Sequence, residues 1–243
     1  MKVDGLVVLV TGAGVRIGRE IAIAVAECGA RVAVHCNSST KQADETLSAI
    51  RAAGSDGAVF RANLTVDGSA DKLVGEVVAH FGMLDVLVNS AAVMQRTPFG
   101  EVSLAEWDSM FALNLRAPFF LSQAAAAAMG DHGGSIVNIA DLAAFETWPA
   151  FIPHGITKAG VVQMTRALAR TLAPRVRVNA IAPGAVLLPD GWNEESEEHI
   201  ISTTPLKRLG SPKDVAEAVI YLIQADYVTG TTLIVDGGRH IRT

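Results

Sequence analysis

The 243 residues include only two cysteines, Cys28 and Cys36, and their separation fits neither a metal-ligand pair nor a redox pair. One falls at an expected helix end and the other in an expected strand, so both read as packing residues in a reducing compartment. No uninterrupted apolar run approaches the ~18 residues of a membrane span. The apolar stretch near the N-terminus leads into a glycine-rich turn instead of a cleavage site, which makes it a strand and not a signal peptide. Lys and Arg are scattered and the net charge is −5, so there is no basic surface for a nucleic-acid backbone. Tyrosine is nearly absent as well: Tyr221 and Tyr227 are the only two. These absences predict a soluble, cytoplasmic protein that acts on small molecules.

What the chain does have is apolar side chains, half of its residues. They fall in short β-branched runs that alternate with stretches of helical period, the pattern of a parallel sheet with crossover helices. Strands are expected at 6–10, 31–36, 58–62, 84–89, 135–140, 176–182 and 232–235. Helices are expected at 17–28, 40–53, 67–81, 104–129, 155–173 and 213–224. The predicted fold is a doubly wound, seven-stranded α/β sheet of Rossmann type forming one domain over 1–243. One stretch, 185–207, breaks the rhythm and carries Asp190, Glu194, Glu195, Glu197 and Glu198. It follows a strand's C-terminal end, where open α/β sheets bind ligands, so it reads as a substrate loop or lid; the alternative is a solvated acidic loop.

The first expected strand ends at Thr11 and is followed by Gly12, Ala13, Gly14, Val15, Arg16, Ile17 and Gly18, then a helix. Such a turn lets the backbone approach a pyrophosphate, and the helix N-terminus offers unpaired N–H groups to it. Alone the pattern is weak, but a strand before it, a helix after it and a second strand soon after give the context of a dinucleotide site. At the end of that second strand an acidic residue would bind the adenine ribose of NAD. The sequence there is His35-Cys36-Asn37-Ser38-Ser39, with no carboxylate to repel a 2′-phosphate and with Arg16 near in sequence. NADP(H) is therefore favoured over NAD(H), which is not excluded.

Five motifs in order resemble the short-chain dehydrogenase/reductase family over nearly the whole chain. They are the glycine turn from Thr11 to Gly18, Asn89-Ser90-Ala91-Ala92, Asn114, Pro183-Gly184 and Asp236-Gly237-Gly238. Arg16 stands where the family's middle glycine usually is, which resembles the Thr-Gly-x-x-x-Arg-x-Gly turn of pteridine reductases. His35 and Ser39 resemble the second-strand exit of those NADPH enzymes, with Ser38 in place of an Arg they often carry. Asn63, followed by Leu64, stands where the family has an adenine-contacting Asp. The resemblance implies a cofactor site made of Thr11, Gly12, Gly14, Arg16, Ile17, Gly18, His35, Asn37, Ser38, Ser39, Asn63, Leu64, Asn89, Ala91, Lys158, Pro183 and Gly184.

Catalysis in the family uses Ser, Tyr and Lys. Lys158 matches the lysine, and the same spacing puts His154 at the tyrosine position and Asp141 at the serine position. Pteridine reductases also have an Asp there but keep the tyrosine. Imidazole can donate a proton near neutral pH, and Asp141 would favour its charged form while Lys158 would oppose it. The proton could also come from Asp141, water or substrate. The resemblance further implies that Lys158 binds the nicotinamide ribose and that Asn114 supports the lysine through ordered water. The leading expectation is an NADP(H)-dependent reductase of a small carbonyl or imine, with a pteridine as one candidate substrate. The rivals are a dinucleotide-binding protein without turnover and a short-chain alcohol or sugar dehydrogenase. No metal site is expected. The helix near 107–129 and the face made by Val161, Val162, Met164 and Leu168 predict a homotetramer.

Overall fold

β-branched residues dominate the runs that become strands because they pack well on a pleated surface covered on both sides. A computed structural model describes residues 1–187 and 194–241. Its strands are β1 (Val7–Val10), β2 (Arg31–Cys36), β3 (Gly57–Arg61), β4 (Val86–Asn89), β5 (Gly134–Ile139), β6 (Val176–Pro183) and β7 (Thr232–Val235). All pair in parallel in the order 3-2-1-4-5-6-7. Each expected strand is found, displaced by at most two residues at either end.

Strand side chains alternate between the two faces. Val8, Val10, Val32, Val34, Val86 and Val88 pack against α1 (Arg16–Glu27), α2 (Thr40–Ala52) and α8 (Pro212–Gln224). Val7, Leu9, Ala33, Leu87 and Ile136 pack against α3 (Ser69–Phe81) and α5 (Ala117–Met129), and α6 (Ile152–Leu172) completes that second layer. The C-terminal ends of all seven strands thus meet along one edge. The winding direction reverses between β1 and β4, which opens the crevice where such folds bind ligands.

Four expectations need correction. The helix expected over 104–129 is interrupted: α4 (Leu104–Phe111) passes through a π turn at Ala112–Arg116 before α5. Pro118 has no N–H to give to the carbonyl of Asn114, so the regular ladder cannot run through this point. Secondly, the stretch 185–207 is not wholly irregular, since it contains α7 (Glu194–Thr203). Three glutamates in its first turn complement the helix dipole, and Ile200 and Thr204, four residues apart, are buried beneath it. Asp190 lies outside the described residues. Thirdly, α6 begins at Ile152, three residues before the expected start, and carries His154 and Lys158 at i and i+4 as the spacing required. Finally, Val161, Val162 and Met164 are buried within this chain and cannot form a free subunit face. Exposed apolar side chains of this layer include Leu104, Trp107, Phe119, Phe120, Ile152 and Ile156.

The same Gly→Ala change should have opposite effects at two helical glycines. Gly75 sits on the exposed face of α3 with open space around it, so Gly75→Ala should raise the unfolding free energy by about 0.5–1 kcal/mol. At Gly18 the added Cβ would overlap the Gly12 carbonyl oxygen, so Gly18→Ala should cost roughly 1–3 kcal/mol. Urea titrations of both variants check the two signs.

Candidate active site

At the β1 exit Thr11 is 1% exposed and its hydroxyl is fully engaged. It accepts the N–H groups of Ser90 (2.9 Å) and Ala91 (3.0 Å) beyond β4 and donates to Val88 O (3.4 Å). Only the backbone of Thr11 therefore remains for a cofactor, since its side chain stitches the two edges of the crevice together. Gly12 follows with φ +68°, and a Cβ there would come within 3.0 Å of Ala91 Cα. Arg16 is exposed and also has positive φ, +53°, an uncommon conformation for a side chain with a Cβ. Ile17 packs its side chain into the core beneath α1.

His35 is not a surface contact for the cofactor as expected; it is buried under the glycine turn. Gly12 N–H donates to its Nδ1 (3.2 Å), so Nε2 carries the proton and donates to Ala62 O (3.1 Å). Burial holds its pKa down at about 4, against the opposing effect of the bond to Ala62. The ring thus fixes the glycine turn to the exits of β2 and β3 in its neutral form. Asn37 and Ser38 are exposed at the β2 exit, and Ser39 is half-buried against Gly14. Asn63 is exposed but its carbonyl accepts from both the N–H and the hydroxyl of Thr65. Leu64 buries its side chain in the core under α3, which leaves only its backbone near the crevice.

Asn89 is also turned inward. Its amide donates to Asn138 Oδ1 (2.9 Å) and Ser122 Oγ (3.3 Å), and Asn138 donates on to Thr165 Oγ1 (2.9 Å). This buried chain ties β4, β5, α5 and α6 together beneath the crevice. Pro183 is buried at the end of β6, and Gly184 lies so close to Asp236 that a Cβ would meet Asp236 Cβ at 2.6 Å.

The structure brings Asp141, His154, Lys158 and Asn114 together around the β5 exit and the peptide of Val93. Asp141 caps the short helix after β5 through Oδ1, which accepts Ala143 N–H (2.8 Å). Its Oδ2 lies 3.5 Å from His154 Nε2, within ion-pair reach though no hydrogen bond forms. His154 Nδ1 faces Val93 O at 3.4 Å, so this nitrogen is the donor. Lys158 is buried and its Nζ donates to Ile139 O (2.8 Å). Burial pushes its pKa down, and Asp141 acts in the opposite sense.

Asn114 sits in the π turn and clamps Val93 from both sides. Its Oδ1 accepts Val93 N–H (2.8 Å), and its Nδ2 donates to Val93 O (2.8 Å) and Thr157 Oγ1 (3.3 Å). Both amide protons are spent there, so its direct work is to hold the carbonyl that orients His154. Tyr221 and Tyr227 belong to α8 and the turn after it, in the opposite layer from α6, so neither restores a phenol to this cluster. Val93 itself was missed in the sequence, because its part is played by a peptide group and not by a side chain.

The glycine cradle, the crevice and the cluster beside it fit a dinucleotide with its reacting ring at the β5 exit. The family model described as enoyl-(acyl carrier protein) reductase matches residues 12–240. The chain belongs to the short-chain dehydrogenase/reductase family. Among members of this family, it is 37% identical to a protein named as ketoacyl reductase 2 of the granaticin polyketide synthase of Streptomyces violaceoruber, over 97% of this chain and 96% of that one. It is 36% identical to the 3-oxoacyl-(acyl-carrier-protein) reductase FabG of Staphylococcus aureus, over 96% of this chain and 97% of that one. A solved short-chain dehydrogenase/reductase fold, 7α-hydroxysteroid dehydrogenase with NADH and 7-oxo glycochenodeoxycholic acid, superposes with a TM-score of 0.93 at 33% identity, covering 98% of this chain and 95% of that one.

The depressed pKa of His35 has a testable consequence. Between about pH 4 and 6.5 the unfolded chain binds a proton at this residue that the folded chain refuses. Its contribution is complete above pH 6.5 and is lost as the pH falls toward 4, by up to about 3 kcal/mol. Urea unfolding across that window should show the slope, and His35→Asn, which does not titrate, should lack it. A variant with the wild-type slope would reassign the effect to other groups.

Proposed function

We propose that the chain is a cytoplasmic NADP(H)-dependent carbonyl reductase in which Asp141 and His154 share the proton that a phenol would otherwise donate. The observation that carries this is the geometry of the pair. With Nδ1–H committed to Val93 O, a neutral His154 turns the bare lone pair of Nε2 toward the Asp141 carboxylate. The 3.5 Å approach of Oδ2 to Nε2 lies within reach of a shared proton, and a small movement of either side chain would close it to a hydrogen bond. The His154 side chain is 2% exposed and that of Asp141 23%, so Asp141 is the member facing the crevice and His154 stands behind it. This reverses the order of roles suggested by sequence, in which His154 met the substrate.

A bound nicotinamide supplies the hydride. The chain's own residues do the rest. Asp141 delivers the proton it shares with His154 Nε2 as negative charge develops on the substrate oxygen, and the pair takes up another from solvent through the partly exposed Asp141 before the next turnover. Lys158, held by Ile139 O, would turn its remaining N–H groups toward that oxygen and the ribose hydroxyls. The glycine turn and the start of α1 would hold the pyrophosphate, and the turn at 37–39 with Arg16 would hold the 2′-phosphate. α7, which follows β6, would stand on the substrate side of the crevice.

The named relatives act on ketoacyl or steroid carbonyls, which supports a ketone substrate. The Arg16 turn and Asp141 support a dihydropterin, so both classes belong in the assay. A protein that binds the dinucleotide without turnover is the second reading, favoured by the near-complete burial of His154.

NADPH oxidation across ketones, oxoacyl thioesters, quinones and dihydropterins, run beside a binding titration, separates these readings. On a turned-over substrate, Asp141→Asn should lower kcat by about 10²–10⁴-fold and His154→Phe by a smaller factor, both with NADPH affinity nearly unchanged. A His154→Phe loss larger than that of Asp141→Asn would restore His154 as the direct donor.

We also propose a homotetramer, its contacts built on α4 and α5. A cleft of about 800 Å³ there is lined by Phe111, Leu115, Phe119 and Phe120 together with Asp108, Ser109 and Arg116. Light scattering should give four times the 25.5 kDa chain mass, and Phe119→Glu with Phe120→Glu should reduce it. A wild-type monomer at micromolar concentration would refute the assembly.

A further inference from the structure

Turn 37–39, between β2 and α2, contains no cation and no carboxylate of its own. One side of it meets the glycine turn, where a Cβ on Gly14 would lie 2.8 Å from Ser39 Oγ. Its other side meets the end of β3. There Arg61 pairs in register with Cys36, and Arg61 Nε donates to Asn37 O at 2.9 Å. Val59 packs toward the core under α1 and α2 while Phe60 packs toward α3, so strand alternation sends Arg61 to the α2 side, over this turn.

The guanidinium is anchored through Nε and exposed, and among the described residues its two Nη groups have no hydrogen-bond partner. Ser39, the cap residue of α2, makes no side-chain capping bond. The facing helix carries Asp44 and Glu45, and among the described residues no ion pair joins either to Arg61. Four free N–H donors on a fixed plane beside uncommitted serine hydroxyls suit a phosphate dianion.

We infer that Arg61, a residue of β3, is a specificity residue that binds the 2′-phosphate of NADP(H) from the β3 side of turn 37–39. The inference rests on the NADP(H) reading above and assigns part of its selectivity to a residue outside the β1 and β2 exits. Anchoring by Asn37 O matters because it removes most of the rotamer freedom that an arginine loses on binding.

The test is the pair of dissociation constants for NADPH and NADH, measured by fluorescence titration at low salt. The proteins are the wild type, Arg61→Gln, Arg61→Lys and Lys41→Gln, the last removing a nearby charge that has no anchor to the turn. Arg61→Gln should weaken NADPH by roughly 10- to 100-fold and NADH by less than about twofold. Arg61→Lys should recover part of the loss, and Lys41→Gln should change the ratio by less than about twofold. Equal weakening of both cofactors by Arg61→Gln would mean that Arg61 only packs the turn. An unchanged ratio in Arg61→Gln, with a wild type that prefers NADPH, would overturn the role of Arg61 and leave the cofactor reading standing. A wild type with no preference for NADPH would overturn both.

Discussion

Where β1 and β4 part, the backbone groups beyond the last sheet bonds are half-buried without a strand to pair with, and leaving their N–H groups unmet would be costly. Side chains meet them. Thr11 takes two N–H groups from beyond β4, His35 takes that of Gly12, and Asn114 takes that of Val93. The crevice stays open and rigid because its walls are satisfied by these three residues instead of by each other. The position of the glycine turn and the aim of His154 both depend on this arrangement.

The same arrangement explains why several residues of the expected cofactor site do not face it. Thr11, His35 and Asn89 are polar residues at strand exits, and in sequence a polar residue at an exit reads as a ligand contact. In the structure each has its polar atoms turned into the scaffold. They position the backbone and the neighbouring side chains that a ligand would meet. The price of keeping such groups buried is met by nearly complete hydrogen bonding, and Asn89 Oδ1 and His154 Nε2 are exceptions at the crevice.

The cluster at the β5 exit follows from a similar economy of parts. A single carbonyl, Val93 O, accepts from Asn114 and from His154. The π turn that places Asn114 exists because Pro118 withholds an N–H four residues later. Thus a proline in a helix, which alone would only mark a kink, accompanies the π turn from which Asn114 holds the carbonyl that His154 Nδ1 faces. Chemistry at that pair is set by backbone geometry as much as by the identities of the two side chains.

The strands, their parallel order of appearance and the glycine turn were legible because they depend on local rules: β-branched runs, helical period, and glycine where a Cβ would collide. The absence of a carboxylate at the β2 exit and the pairing of Lys158 with His154 on one helix were legible for the same reason, since they need only spacing. Sequence could not reveal which of Asp141 and His154 faces the crevice, because burial is decided by the elements packed around the β5 exit. Nor could it show Arg61 beside Asn37, two positions brought together only by the register of β2 and β3. Local chemistry fixed the parts, and long-range pairing decided which of their atoms remain free to act.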